Sequence, residues 1–390
     1  MSRPPVSLIL SAFALLVASC GATGVGDKAS PPTPAADHFA IEQVARFDEP
    51  WAMAIDRGTG VIFVTEKKGR IRFVEPDGRI GTVSGVPAVD YGGQGGLGDF
   101  VFAPGETGNR LDRRTVYLSW AEAGTRNTRG AAVGKATMVC EDHSRCDLQD
   151  LTVIWRQDPK VTGRGHYSHR LTFSPDGKYL FIASGDRQKL APAQDLKNTL
   201  GTIVRLLPDG TPAPGNPFAD KGSPSDEIWS FGHRNILGLK FDDQGQLWDV
   251  EHGPAGGDEL NRVRKGANFG WPEASNGKHY NGDPIPDHAQ KPEFAEPAIS
   301  WNPVIAPGDM VFYSGDLFAD WNGQLLIAAM RPGGIVRVAI EQDSAREVAR
   351  YKTENRIRAI EQANNGAIWV LEDGSGPNEG RLLKLTPPNH

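Results

Sequence analysis

A short unit recurs six times along this chain: a turn, a run of apolar residues, and a polar or charged residue where the run stops. The copies are GTGVIFVTEK from Gly58, DRRTVYLSWAE from Asp112, PDGKYLFIASGD from Pro175, DQGQLWDVEHG from Asp243, NGQLLIAAMR from Asn322 and NNGAIWVLEDG from Asn364. Asp-Gly and Asn-Gly turns form hairpins, and β-branched and aromatic residues favour strands. Six copies at uneven spacings point to an all-β chain, a six-bladed β-propeller, in preference to a β-sandwich with repeated hairpins. The 46 Gly and 29 Pro agree with many short strands and turns. If the copies occupy equivalent places in successive blades, Glu66, Asp186, His252 and Arg331 lie on one rim, where loops on a rigid scaffold can build a site.

A net charge of -6 leaves no basic excess to neutralise phosphates, so nucleic acid is excluded as a partner. At the N-terminus, Arg3 precedes an apolar run from Val6 to Ala18, too short to span a bilayer and shaped like a secretory signal. The run ends in Val17-Ala18-Ser19-Cys20, which resembles a bacterial lipobox. The expectation is an exported protein, lipid-anchored to a membrane through Cys20 on its periplasmic face; the alternative is an ordinary signal peptide with Cys20 incidental. Residues 1–20 are then the signal, 21–38 a small, polar, Pro-rich flexible tether, and 39–390 one folded domain. With Cys20 assigned, Cys140 and Cys146 are expected to close a local disulfide.

The densest chemistry lies in Gly232 to Pro272, GHRNILGLKFDDQGQLWDVEHGPAGGDELNRVRKGANFGWP. A strand that ends in Glu-His-Gly-Pro and is followed by two glycines and two acids has little to offer a core. Carbonyls and carboxylates crowded into one turn suit a hard cation such as Ca2+. A second segment, TGRGHYSHRLTFSPDGKYLFIASGD, carries His166, His169, Arg170 and Asp186; from the residues alone, His166 reads equally as a base or as a hydrogen-bonded loop histidine.

GHRN, EHGPxGGDELN and GANFGWP, in that order, resemble the soluble quinoprotein sugar dehydrogenases, the PQQ-dependent glucose and aldose sugar dehydrogenases. The resemblance runs in patches from about Glu49 to about Leu382 and implies a six-bladed propeller that oxidises a sugar and hands the electrons to a separate acceptor. It implies His166 as the catalytic base, Asp186 as its orienting carboxylate, and Arg234 facing the quinone oxygen that gains charge; His169 is then structural. Cofactor contacts are implied at Gln94, Asn235, Tyr280, Arg331, Arg356 and Arg358, the basic residues meeting the three carboxylates of PQQ. Residues two apart on a strand share a face, so Arg356 and Arg358 can converge on one ligand. Ca2+ is implied at the carbonyls of Gly253 and Pro254, and a second, structural Ca2+ at Glu259 and the carbonyl of Phe269.

The chain departs from the family at Leu237, where a Gln is usual, and at Val304 or Ile305, where a hydroxyl residue is usual. These losses bear on affinity and substrate preference more than on reaction class. Two rival readings stand beside this one: a calcium-dependent propeller lactonase or hydrolase, which has no need of the basic cluster, and a non-enzymatic binding propeller, which has no need of His166 and Asp186.

Overall fold

The six recurrent segments all become the second strand of a blade in the computed structural model, which describes residues 32–141 and 144–388 together with Met1. Blade 1 is Pro50–Ile55, Ile62–Glu66, Arg70–Val74 and Ile80–Ser84. Blade 2 is Leu97–Phe102, Arg113–Ala123, Arg129–Cys140 and Arg145–Arg156. Blade 3 is Ser168–Phe173, Leu180–Ser184, Thr202–Leu206 and Ile228–Phe231. Blade 4 is Ile236–Phe241, Leu247–Glu251, Asp258–Arg262 and Ile299–Trp301. Blade 5 is Pro307–Phe312, Leu325–Ala329, Gly334–Glu341 and Ser344–Lys352. Blade 6 takes Ile357–Gln362, Ile368–Glu372 and Gly380–Thr386 from the C-terminus and its fourth strand, Ala40–Phe47, from the N-terminus.

The first strands touch one another in sequence order, and the last touches the first, so the ring is closed: a six-bladed β-propeller. Closure is made by Ala40–Phe47 pairing antiparallel with Gly380–Thr386, which ties the two ends of the chain together. The outer strands of blades 1 and 2 also pair, in parallel, at Thr82–Ser84 and Arg145–Asp147. Each neighbouring pair of blades encloses its own apolar cluster, such as Phe63, Phe73 and Phe100 between blades 1 and 2. Burying a side chain of that size contributes about 1.5–3 kcal/mol, so the ring is held blade by blade rather than by one central core. Inside the ring the first strands of blades 2, 3 and 5 are joined by a buried polar group, Arg170 paired with Asp99 and Asp309.

Cys140 and Cys146 sit opposite each other in the hairpin between the outer strands of blade 2 and are joined by the expected disulfide. The tether, expected to reach residue 38, ends sooner. Thr33–Pro34 pairs with Tyr351 and Lys352, and Ala35 and Phe39 are buried in the cluster between blades 5 and 6. Phe39 meets the rings of Trp321 and Tyr351 edge-on at 5.7 and 5.2 Å, and that apolar burial offsets the entropy of ordering the segment. The rest of the tether, residues 21–31, and the expected signal with Cys20 lie outside the described residues.

Candidate active site

His166 leads into the first strand of blade 3 with unusual backbone. His166, Ser168 and His169 all have positive φ, at 48°, 64° and 73°. Non-glycine residues hold that region only where their surroundings impose it. Three bonds do so here: Gln94 Oε1 accepts from the His166 amide at 2.7 Å, Ser168 Oγ accepts from the Ile236 amide at 2.9 Å, and Ser119 Oγ donates to the His169 carbonyl at 2.7 Å. Gln94, expected at the cofactor, is thus first of all the residue that sets the backbone of the base.

Asp186, just beyond the end of the next strand, accepts from His166 Nδ1 at 2.6 Å. Its other oxygen accepts from Trp271 Nε1 at 2.8 Å, and the Gln188 amide donates to the first at 2.8 Å. Burial pushes the Asp186 carboxyl up, but the hydrogen bonds and the His166 ring outweigh it and hold it below the usual carboxylate range. It is an anion that fixes the proton on Nδ1 and leaves Nε2 basic. Burial also lowers the pKa of His166 despite Asp186, with Arg234 and Arg187 adding to the effect, so the imidazole is neutral near neutral pH and ready to accept a proton.

Arg234 is brought to the same place by the start of blade 4, its carbonyl accepting from the Asp186 amide at 2.9 Å. Its own amide and that of Asn235 donate to Glu251 Oε2 at 2.6 and 3.2 Å. The guanidinium donates to the His252 carbonyl at 3.0 Å and to the Tyr280 hydroxyl at 3.2 Å. Its Nε is buried with no hydrogen-bond partner among the described residues. Tyr280, 77% exposed, therefore belongs to the site as an exposed edge rather than a buried contact.

A cavity of about 180 Å³ opens beside these groups, lined by Gln94, Asn235, His169, His252, Trp51, Met330 and the cations Lys67, Arg356 and Arg358, among others. Its floor includes Leu237 in place of a polar side chain. Among the described residues no carboxylate lines it. Asp373 stands behind, accepting from Arg356 at 2.9 Å and from Arg358 at 3.0 and 2.8 Å, so two of the cations share one anion, while Lys67 Nζ donates to the Gly93 carbonyl at 3.0 Å. Burial, and then Arg358, lowers the pKa of Lys67, against the opposing pull of Glu49 and Asp373. An anionic ligand such as the tricarboxylate PQQ fits this charge.

Arg331 does not join the cluster. Its side chain is exposed in the turn that follows Leu325–Ala329, and only the preceding residue, Met330, is among the residues lining the cavity. Lys67, missed in the sequence, supplies the third cation in its place. His169, expected to be structural, lies on the cavity wall.

The residues implied for two separate ions, Gly253 and Pro254 for one and Glu259 and Phe269 for the other, instead line one small cavity of about 10 Å³, the size of a single ion or water, together with Glu251 and other neighbours. The carbonyls of Gly253 and Pro254 accept no hydrogen bond from the described residues, and Asp258 fixes their turn by accepting from the amides of Gly253, Ile305 and Ala306. Glu259 is buried near Glu251, and burial with that neighbouring charge raises its pKa well above the ordinary value. A hard cation would relieve both carboxylates, so the donor set fits Ca2+. The Phe269 carbonyl accepts from His288 Nε2 at 3.0 Å. Behind it, His233, Asp249 and Glu251 form a further metal-capable group that the sequence reading did not name.

A family model described as glucose/sorbosone dehydrogenase matches residues 47–384. Among known proteins, the aldose sugar dehydrogenase YliI of Escherichia coli (strain K12) is 36% identical over 353 residues, covering 88% of this chain and 91% of that one. The solved apo-form of the soluble aldose sugar dehydrogenase from Escherichia coli superposes with a TM-score of 0.80 at 34% identity, over 90% of this chain and 100% of that one. The PQQ-bound form of an aldose sugar dehydrogenase from Streptomyces coelicolor does so with a TM-score of 0.71 at 25% identity, over 89% and 98%.

Proposed function

The chain belongs to the glucose/sorbosone dehydrogenase family, and from that premise we propose that it oxidises an aldose at the anomeric hydroxyl to the lactone. In this reading PQQ is held with Ca2+, and the electrons pass to a downstream acceptor. The observation that carries it is the His166–Asp186 pair, 2.6 Å apart, beside a cavity walled by three cations and, among the described residues, no carboxylate. A calcium-dependent hydrolase acting on neutral substrates has no use for that charge.

PQQ, when bound, supplies the acceptor for the hydride that leaves the anomeric carbon. His166 Nε2 takes the hydroxyl proton, and Asp186 stabilises the imidazolium that results. Trp271 and the Gln188 amide keep Asp186 from turning away. Arg234 presents a preorganised cation, held by the His252 carbonyl and Tyr280, where negative charge accumulates. Lys67, Arg356 and Arg358 would hold the cofactor's carboxylates. Gly253, Pro254 and Glu259 would hold the cation. Export and attachment through Cys20 are part of the proposal, supported by the sequence of residues 1–20.

Deuterium at the anomeric carbon tests the position of oxidation. A primary isotope effect on single-turnover oxidation, with lactone as the product, is expected; no isotope effect, or an aldehyde at another carbon, would sink it.

A further inference from the structure

Arg187 is a buried cation that the mechanism above leaves unused. It is 1% exposed, and among the described residues its guanidinium donates to three backbone carbonyls and to no carboxylate: Nε to Gly165 at 2.9 Å, one terminal nitrogen to Arg129 at 2.9 Å and the other to Gly163 at 2.6 Å. Desolvating a charge opposes folding, and a buried arginine ordinarily meets an anion. The stability of the fold therefore does not account for this one, and what the three carbonyls have in common does.

Gly163 and Gly165 lead directly into His166, and Arg187 itself follows Asp186, so one side chain spans the two segments that supply the dyad. Its own amide donates to the His166 carbonyl at 3.2 Å, and the Gly185 amide to the Tyr167 carbonyl at 3.3 Å. Glycine permits so close an approach: a Cβ on Gly165 would lie 2.3 Å from Gln188 Oε1, and one on Gly185 would lie 2.1 Å from the His166 carbonyl oxygen. Both segments hold positive φ, 48° at His166, 55° at Arg187 and 60° at Gln188, a conformation that non-glycine residues keep only where their surroundings impose it. The Arg129 carbonyl belongs to the third strand of blade 2, so the same guanidinium also seats the dyad against the neighbouring blade. It lies 3.7 Å over the ring of Tyr167, the residue after the base. A planar fork of fixed donors suits three carbonyls in three directions, which a single ammonium does not.

We propose that Arg187 is a positioning residue for the base: through the carbonyls of Gly163 and Gly165 it clamps the loop that carries His166 against the turn that carries Asp186, and so sets the geometry of the dyad. The inference rests on the proposed function for the identity of His166 as that base. Arg187 touches neither sugar nor cofactor in this reading and acts only through His166.

The test is NMR on the apoprotein with isotopically labelled histidine, for wild type, Arg187→Met and Arg187→Lys, the His166 ring being assigned by its loss in His166→Gln. The ring nitrogen shifts give its tautomer and its pKa, and turnover is measured alongside on protein given PQQ and Ca2+. Wild type should keep the proton on Nδ1 and titrate below 6.5. In Arg187→Met the two tautomers should mix and the pKa should rise toward 6.5, because the loop loosens and one cation leaves a ring on which Asp186 and Arg234 still act. Turnover should fall by about tenfold or more, with the acidic limb of kcat/KM moved up. Arg187→Lys keeps the charge without the fork and should lie between. A wild-type tautomer and pKa in Arg187→Met overturn the inference, as does lost turnover with the ring unchanged. If Arg187→Met fails to fold, the same two ring quantities in Arg187→Lys decide. The ring is read without cofactor or sugar, so the two failures are distinct: an unchanged ring removes Arg187 and leaves the proposed function standing, whereas a wild type that oxidises no sugar removes that function and the role of His166 with it.

Discussion

Asp373 binds Arg358 through one oxygen, at 3.0 and 2.8 Å, and Arg356 through the other, at 2.9 Å, so two guanidinium groups at the cavity wall share one carboxylate. The arrangement holds both cations in place while leaving the cavity positively charged. It also separates binding from stability. In Arg358→Ala, Arg356 still satisfies Asp373, so the apoprotein should melt close to wild type. PQQ affinity should fall by about 2 kcal/mol, roughly 30-fold, as a desolvated carboxylate loses its partner. Calorimetric titration checks this; equal affinity would remove the cluster from the site.

The dyad makes a second prediction. His166→Gln should bind PQQ nearly as wild type and lose about 100-fold or more in turnover, the usual range for a lost general base. Asp186→Asn should lose a similar amount, since an amide no longer fixes the proton on Nδ1. Because the pKa of His166 lies below its ordinary 6.5, the acidic limb of kcat/KM in wild type should fall below that pH. A limb above it, or full activity in His166→Gln, would contradict the assignment.

The small carboxylate-lined cavity predicts a metal effect without any catalysis. Added Ca2+ should raise the melting temperature of wild type, by an amount equivalent to about 2.7 kcal/mol at a hundredfold excess over the dissociation constant. In Glu259→Gln the shift should largely vanish, while the metal-free protein melts higher than metal-free wild type, because one buried charge beside Glu251 is gone. Scanning calorimetry with and without chelator measures both. An undiminished Ca2+ shift in the variant would remove Glu259 from the ligand set.

Acid tests the burial of His169. Its pKa is 6.5 when unfolded and about 3 when folded, so below 6.5 the unfolded chain binds a proton that the native state refuses. The stability of the neutral form is therefore complete above 6.5 and lost as pH falls toward 3, at up to about 1.4 kcal/mol per pH unit. Asp258 and Asp309, both raised to about 6 by burial, work in the opposite direction over part of that window. The wild-type curve alone is thus ambiguous, and the difference between His169→Phe and wild type is the useful quantity. It should grow in favour of the variant as pH falls; a constant difference would show that His169 titrates normally.

Much of this was readable before any coordinates. The six second strands announce themselves because Asn-Gly and Asp-Gly turns and apolar runs are local signals. Ring closure by Ala40–Phe47 on Gly380–Thr386 was not, since no local pattern says which distant edge a strand will join. Of the site, His166, Asp186, Arg234 and Tyr280 meet as the motifs implied. Trp51 and Lys67 come from blade 1; Trp51 carries no motif, and Lys67 closes the recurrent segment GTGVIFVTEK, where only its position at a strand end on the shared rim could have marked it. Trp271 was in view within GANFGWP, but its bond to Asp186 crosses from one blade's loop to another's. Arg331 stays outside the cavity because the strand ends at Ala329 and the turn that follows exposes it, and the direction a side chain takes in a turn is not written in AAMRPGG.

The function proposed for this chain is that of a quinone-dependent sugar dehydrogenase, and reconstitution tests it most directly. Purified apoprotein would be given PQQ, Ca2+, both or neither, then assayed across a panel of aldoses with an artificial electron acceptor. The account predicts acceptor reduction with at least one aldose only when both are present, and its loss in His166→Gln. Sugar oxidation without PQQ, or none with any aldose although PQQ is bound, would contradict it.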